Sequence, residues 1–383
     1  MLNGLRQLCN HTMLIRVLRR AAVARLGTGQ VLYLKGSPYE QGEQLGRGAA
    51  DLIAENVREA RLLRARVTGE LDLASYESMT RRNEAWVRRE FPELLDELHG
   101  VAQGSGVDYA DLLHLNLNTD IAYARAYALV LDCTQVLATG AATADGKTYI
   151  GKTRDLTQGP HRHVLLHREY DDGSFRNEFQ VAGQMTLPVG INGHGVAMTT
   201  SGQWSDRVVV DLARADSAWH ILNLQPVFRH ARSAAEALQM IRAQPRVAGM
   251  QVMLADQHTA LALEITDSEV HVFEPEDGIL VRTNHFLAPE LQRLAPTFSE
   301  NRGTFDRFAR ARELAVQRRG TIGMQDLLRI LSDHSDPPVE SICRHDGAGR
   351  TYAATVVCPQ EQTMWTAFGN PCEGIQAVGR PGE

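Results

Sequence analysis

The sequence predicts a layered α+β protein, and three observations carry that prediction. Helical spacing of apolar residues fills most of the stretch from Tyr39 to Ala128, strand patterns replace it after Leu129, and strands and helices then follow one another in blocks. Blocks of this kind favour a layered α+β sandwich over a doubly wound parallel sheet, where single strands and helices would alternate.

The elements follow in order. Val31 to Leu34 reads as a short strand, and Leu45, Ala49, Leu52, Ile53, Val57 and Ala60 then recur at helical spacing within a helix from about Tyr39 to Arg66. Ser75 caps a second helix to about Glu90, Pro92 suits the first turn of a third, and Asp108 caps a fourth to about Ala128. Strands are predicted at Thr134 to Gly140, Thr148 to Thr153, His163 to Tyr170, Phe175 to Ala182 and Val196 to Thr200, between DG, DDGS and NGHG turns. Helical spacing returns from Ala213 to Ala243. Strands follow at Gln251 to Ala255, Ala260 to Ile265, Glu269 to Phe273 and Gly278 to Thr283, then helices at Thr304 to Arg319 and Met324 to Ser332.

With 383 residues, 43% of them hydrophobic, the chain can bury a large core. A net charge of −6 and a pI near 6.2 give no global basic field, and no basic stripe with interleaved aromatics appears, which argues against nucleic acid as a partner. No apolar run is long enough for a transmembrane helix. Five widely spaced cysteines form neither a disulfide framework nor paired CxxC knuckles, so a reducing cytoplasm is the expected compartment. Residues 1–30 form an N-terminal extension and a candidate for disorder. It is rich in Arg and free of acidic residues, which fits a targeting segment, a solvated amphipathic terminus or a start at Met13.

The helix-to-strand boundary falls at Asp132, Cys133 and Thr134. Alone, Cys133 reads first as a small buried hydrophobe. A Cys that opens a strand can instead become a chain terminus if the preceding bond is cut. It then joins a nucleophilic thiol to an α-amino base that titrates near 7.7 to 8.0. Asp145 and Gly146, read as a two-residue type I′ turn, would set Ala144 opposite Lys147 and Asp155 opposite Val136. Alternation then places the Asp155 side chain on the face away from Cys133, within reach of a backbone amine only.

The segment DCT followed by ADGK and GKTRD resembles the nucleophile region of the isopenicillin N acyltransferase-like (acyl-coenzyme A:6-aminopenicillanate acyltransferase) family of N-terminal nucleophile hydrolases, relatives of the cholylglycine hydrolases. GSPYEQGEQLG (Gly36 to Gly46) and the stretch from Leu94 to Asp120 are similar to its helical pro-segment. GINGHGVAMT (Gly190 to Thr199), RTNHF (Arg282 to Phe286) and TFDRFARARELA (Thr304 to Ala315) are similar to its later motifs, in the same order. The resemblance implies a four-layer αββα sandwich and a precursor cut between Asp132 and Cys133. The pro-segment would be residues 31–132 and the catalytic chain 133–383.

It further implies Cys133 as nucleophile, Asp155 as the carboxylate holding the freed amine and Asn284 as an oxyanion donor, a role worth about 2.7 to 4 kcal/mol. Arg307 would support the thiolate and the carboxylates electrostatically; its bland alternative is an exposed helix charge. The implied activity is amide hydrolysis or acyl transfer on a small molecule, with no cofactor and no metal. A homo-oligomer is compatible, and an uncleaved binding or structural protein is the rival reading. Two positions depart from the family pattern. Asp132 stands where Gly is usual, with a charge that could disfavour a thiolate. Lys152 replaces the Arg of the bile-salt branch and offers no bidentate fork.

Competing sites are thinner. His161 and His163 share a strand face without a third ligand. Cys343 with His345, and Asp256 with His258, are no stronger. His194 or His285 could pair with a cysteine, although the NGHG sequence suits a turn. No P-loop or dinucleotide fingerprint stands out.

Overall fold

The chain is seen in a computed structural model that describes residues 29–68, 73–117, 131–156, 161–185, 189–203, 220–245, 250–294, 302–335, 341–345 and 349–379. The N-terminal extension therefore lies almost wholly outside the described residues, as does the predicted helix beyond 117. Strand β1 (Gln30–Lys35) leads into five helices, α1 (Pro38–Gly48), α2 (Ala50–Thr68), α3 (Leu73–Glu90), α4 (Pro92–Ser105) and α5 (Tyr109–Leu117). Ser37 starts α1 with a reciprocal cap: its hydroxyl accepts from Glu40 N, and the Glu40 carboxylate accepts from Ser37 N. The single helix expected to run to Arg66 breaks at Ala49, which leaves helical geometry at ψ 27°.

Strands β2 (Leu131–Asp132), β3 (Gln135–Gly140), β4 (Gly146–Leu156), β5 (His163–Glu169), β6 (Phe175–Val181), β7 (Val189–Asn192) and β8 (Ala197–Ser201) precede α6 (His220–His230) and α7 (Ala234–Ala243). The single run expected from Ala213 is thus divided, because Ser233 caps a new helix by accepting from Glu236 N. Then come β9 (Met250–Ala255), β10 (Ala260–Ile265), β11 (Val270–Phe273), β12 (Ile279–Arg282), α8 (Arg302–Gln317), α9 (Met324–Leu331), β13 (Arg350–Cys358), β14 (Thr363–Phe368) and β15 (Ala377–Gly379). The sequence reading misses β2, β7 and every strand after Ser332.

Among the described residues one sheet has the order β1-β5-β6-β7-β8-β9-β10-β11; the other runs β12-β3-β4-β13-β14-β15, with β2 beside β4. Period-two alternation builds the layers. Val164 and Leu166 of β5 face Leu45, Ile53, Leu98 and Leu115 of the N-terminal helices, while Leu165 between them faces the other sheet. Val136 and Ala138 of β3 face Leu314 and Leu327 of α8 and α9, while Leu137 joins Ile150, Phe179 and Met253 between the sheets. Phe228 and Leu238 of α6 and α7 cover Val252 and Leu254 of β9. The result is the four-layer αββα sandwich.

Two stretches singled out in the sequence meet in the first layer. A Cβ on Gly42 or Gly46 of α1 would lie 2.1 Å from Glu97 O or 2.6 Å from Val101 O. On Gly100 or Gly104 of α4 it would lie 2.1 Å from Tyr39 O or 2.2 Å from Glu43 O. Each helix thus presents a glycine pair four residues apart, and the two backbones touch. Polar ties anchor this layer to the sheet. Gln41 Nε2 donates to Glu169 O at 2.8 Å, Asn56 Nδ2 to Arg162 O and Ala182 O at 2.9 Å, and the buried Arg168 pairs with Glu97 at 2.7 Å. No helix among the described residues is long and apolar enough to cross a membrane.

The hairpin of β3 and β4 corrects the predicted register. Gln135 pairs with Lys152 and Val136 with Gly151, so β4 is displaced by four residues from the two-residue-turn alignment. The turn is wide because the segment before Asp145 is held elsewhere: Ala144 N donates to Ile322 O, and the Thr143 hydroxyl to Gly140 O and Lys147 O. Asp155 consequently opposes Asp132, not Val136.

Candidate active site

Cys133 lies in the two-residue gap between β2 and β3, and both flanking ladders aim at it. The β2–β4 register sets Asp132 opposite Asp155, and the β12–β3 register, Arg282 opposite Gln135, sets Asn284 opposite Cys133 when continued by two residues. Alternation along β4 then puts Lys152 on the Cys133 face and Asp155 on the other. The contacts agree: Lys152 Nζ stands 3.4 Å from Cys133 Sγ.

The backbone of Cys133 is held on both sides. Its N–H donates to Asn284 Oδ1 at 3.0 Å, and its carbonyl accepts from Arg307 Nη1 at 2.5 Å. Arg307 also donates from Nη1 to the Thr134 hydroxyl at 3.2 Å, from Nη2 to Asn284 Oδ1 at 3.1 Å, and pairs with Asp132 at 2.9 Å. Its side chain has no exposed surface, which rules out the exposed helix charge. The Asn284 amide is oriented by these neighbours, since a guanidinium can only donate to Oδ1 and Gly202 O can only accept from Nδ2, at 2.9 Å. Thr304 of α8 fixes the Asn284 backbone by accepting from its N–H at 2.9 Å.

Asp132 bridges two guanidiniums, Arg307 through Oδ1 and Arg344 through Oδ2 at 2.6 Å. Two cations thus offset the single charge that stands before the cysteine. Burial pushes the Asp132 carboxyl up, but Arg307 and Arg344 outweigh it and hold the group below its ordinary range. Asp155 goes the other way: burial raises it more than Arg344 and Arg307 lower it. It accepts from the Thr351 hydroxyl at 2.7 Å, an alignment permitted by a bulge between Thr351 and Ala353, and from the Thr153 hydroxyl at 3.4 Å. The Thr153 hydroxyl in turn accepts from Thr134 N. Asp155 thus reaches the Cys133 segment through Thr153, at Thr134, one residue beyond the cysteine.

These shifts set an acid-stability prediction. A carboxyl depressed on folding contributes stability above its unfolded value, about 3.9, and loses it as pH falls through the lower folded value. In a Cys133→Ala background, stability should therefore fall more steeply below about pH 4 for the parent than for Asp132→Asn. Chemical denaturation across that range measures it, and parallel profiles would refute it.

Sequence reasoning missed four contributors: Lys152 as a neighbour of the sulfur, Arg344 on Asp132, and Thr153 and Thr351 on Asp155. Burial pulls the Lys152 ammonium below its ordinary range, with the Cys133 sulfur working against that shift. The histidine alternatives lie elsewhere. His285 Nδ1 faces the Thr283 and Thr304 hydroxyls at 3.2 and 3.1 Å, and burial followed by Arg307 pushes it down to about 4. His194 sits in the predicted turn. His163 stacks on Phe179 and His161 tilts against Tyr352, while Asp256 caps its own turn by accepting from His258 N and Thr259 N.

Comparison with known proteins bears on this geometry. Residues 142–373 match the model of the family described as acyl-coenzyme A:6-aminopenicillanic acid acyl-transferase, a stretch that begins downstream of Cys133 and contains Asp155, Asn284 and Arg307. An uncharacterized protein of Archaeoglobus fulgidus is 25% identical over 330 residues, 71% of this chain and 53% of its own length. The chain therefore spans about half the length of that relative. Among solved structures, the Caenorhabditis elegans N-acylethanolamine-hydrolyzing acid amidase ortholog is 15% identical with a TM-score of 0.43, over 59% of this chain and 93% of that one. Penicillin V acylase from Agrobacterium tumefaciens is 12% identical with a TM-score of 0.43, over 62% and 83%.

Proposed function

The chain belongs to the acyl-coenzyme A:6-aminopenicillanic acid acyl-transferase family, and on that footing we propose that it is a self-processing cysteine amidohydrolase or acyltransferase. The observation that carries this reading is the clamp on Cys133: its N–H rests on Asn284, its carbonyl on Arg307 and its sulfur beside Lys152, at the start of a central strand.

In the precursor, Cys133 Sγ attacks the Asp132 carbonyl carbon, the Asp132–Cys133 peptide bond breaks and a thioester forms. Water then hydrolyses the thioester, leaving the Asp132 carboxylate, the free thiol and a new α-amino group. That amine does not exist before the cut, so another base must take the thiol proton first. Lys152 suits this role, because burial favours its neutral amine and it lies against the sulfur. After the cut, the α-amino group becomes the base, Asp155 orients it, and Asn284 Nδ2 is the donor for the oxyanion. Burial raises the Asp155 carboxyl, and Arg344 and Arg307 work against that rise, which favours the charged form that would hold the new ammonium.

Turnover repeats the same chemistry on a small-molecule amide or acyl donor. The thiol expels the amine or thiol leaving group, and water or an acceptor amine resolves the acyl-enzyme. On this reading the precursor comprises the N-terminal extension, 1–30, a pro-segment, 31–132, and a catalytic chain, 133–383. The unpaired thiols of Cys133, Cys343, Cys358 and Cys372 support a reducing, cytoplasmic setting.

The test is intact mass combined with burst kinetics on a chromogenic amide, with and without added amine. Expected are two fragments meeting at Asp132/Cys133, a burst equal to the sites present, and product diverted to the amine if transfer competes with water. A single uncut 42.4 kDa chain with no burst under reducing conditions would instead favour the uncleaved binding or structural protein.

A further inference from the structure

We propose that His334, Cys343, His345 and Cys372 form a structural site for one zinc-type divalent cation, and that the ion fixes the segment carrying Arg344. The sequence reading expects no metal, because the four residues are spread over a long stretch and include no CxxC or paired-His motif. Folding brings them together from three places: just beyond α9, the segment 341–345, and the short 3-10 helix Pro371–Glu373.

Their ligand atoms all lie within 4.8 Å of one another. The two sulfurs are 3.9 Å apart, the two Nε2 atoms 3.0 Å, and the His345 Nε2 lies 3.3 Å from Cys372 Sγ and 3.9 Å from Cys343 Sγ. Tetrahedral zinc with bonds of about 2.3 Å to sulfur and 2.0–2.1 Å to nitrogen requires edges of about 3.8 Å, 3.3 Å and 3.5 Å for these pairs. Four of the six edges thus lie within about 0.4 Å of that tetrahedron, and the two from His334 to the sulfurs stay within 4.8 Å. The sulfurs are much farther apart than the roughly 2.05 Å of a disulfide.

The donor set selects the ion. Two thiolates and two imidazoles suit a borderline-soft cation, and four protein ligands leave no open position for substrate or water, which makes the site structural. Binding expels the two thiol protons, and the thiolates then balance the double charge of the cation. Support from outside the ligands is present. Asn370 Nδ2 donates to Cys343 Sγ at 3.3 Å and to Arg344 O at 2.7 Å, and Cys343 N donates to Asp333 O at 3.0 Å. Cys343 is buried while His334, His345 and Cys372 are exposed, so the ion can enter from solvent.

Arg344 stands between two of the ligands, and its guanidinium holds Asp132 at 2.6 Å while its N–H donates to the Thr351 hydroxyl that serves Asp155. Fixing residues 343 and 345 therefore fixes the cation that faces both carboxylates, from outside the reaction site.

Metal analysis of the purified full-length chain should find one equivalent of zinc. Cobalt substitution should give tetrahedral d–d bands with thiolate-to-metal charge transfer. His334→Ala, an exposed change that leaves folding intact, should lose most of the ion, Cys372→Ser likewise, and Asn370→Ala should weaken binding about 10- to 100-fold. Cys133→Ala should keep it, which separates this site from the nucleophile. Amide exchange in residues 341–345 should slow on zinc addition. A folded protein that binds neither zinc nor cobalt, or thiol titration showing a Cys343–Cys372 disulfide, overturns the site; zinc binding without slowed exchange overturns the positioning role.

Discussion

Cys133→Ala should yield a chain that stays whole and turns over no substrate, with a loss on the order of 10⁴-fold or more. In the proposed mechanism both the cut and the acyl-enzyme depend on the thiol sulfur, and alanine offers Lys152 no nucleophile to activate in its place. The fold should tolerate the change. Cys133 is buried among main-chain ties to Asn284 and Arg307 that alanine retains, and Lys152 Nζ keeps the Thr153 carbonyl at 3.1 Å. Cys133→Ser, which keeps a weaker nucleophile in the same place, should cut slowly. Mass spectrometry and active-site titration read both effects. An alanine variant that is still cut before residue 133, or that retains wild-type turnover, would remove Cys133 from the mechanism.

Arg307→Ala should cost about 3 to 5 kcal/mol of stability, because it strips a buried charge pair of one member. The change removes donors from the Cys133 carbonyl, the Thr134 hydroxyl and Asn284 Oδ1 at once, and leaves Asp132 with Arg344 alone. Arg307→Lys should recover only part of the loss, since an ammonium cannot reproduce the fork that spans Cys133 O and Asn284 Oδ1. Urea unfolding in the Cys133→Ala background, where no cut complicates the transition, gives the measurement. The cost in Arg344→Ala should be non-additive with it, because both cations serve one carboxylate. A loss below about 1 kcal/mol for Arg307→Ala would show that the cluster is not held as described.

The layered fold was legible in the sequence because it depends on local pattern. The change of period near residue 130 marks the boundary, and Pro92 acts over a few residues. Gly42, Gly46, Gly100 and Gly104 lie in stretches noted for their resemblance, but their meeting across two helices is visible only in the fold. Failures occurred where a distant contact decided. A DG dipeptide reads as a tight turn, yet Ile322 holds Ala144 and widens it, so the register of Asp155 follows from a residue far along the chain. Strand β13 is buried on both faces and lacks the alternation that marks a half-exposed strand, so Thr351 went unseen. Arg344 stands in a segment without regular structure, and its role exists only because Asp132 is folded against it. Arg307 was named through the resemblance, but only its burial separates it from the more exposed arginines around it on the same helix.

The N-terminal layer carries a kinetic consequence. Strand β1 is the edge strand beside β5, paired in parallel from Gln30 with Val164 to Lys35 with Glu169, and α1 and α4 are interlocked through glycine. While the chain is whole, this layer is tethered and re-forms in a first-order step. With the proposed cut before Cys133, the same layer would become a separate subunit, and recovery after unfolding would become second order in protein. Dilution would then trap the unfolded pieces apart, so the mature protein would owe its lifetime to the height of its unfolding barrier rather than to a reversible equilibrium.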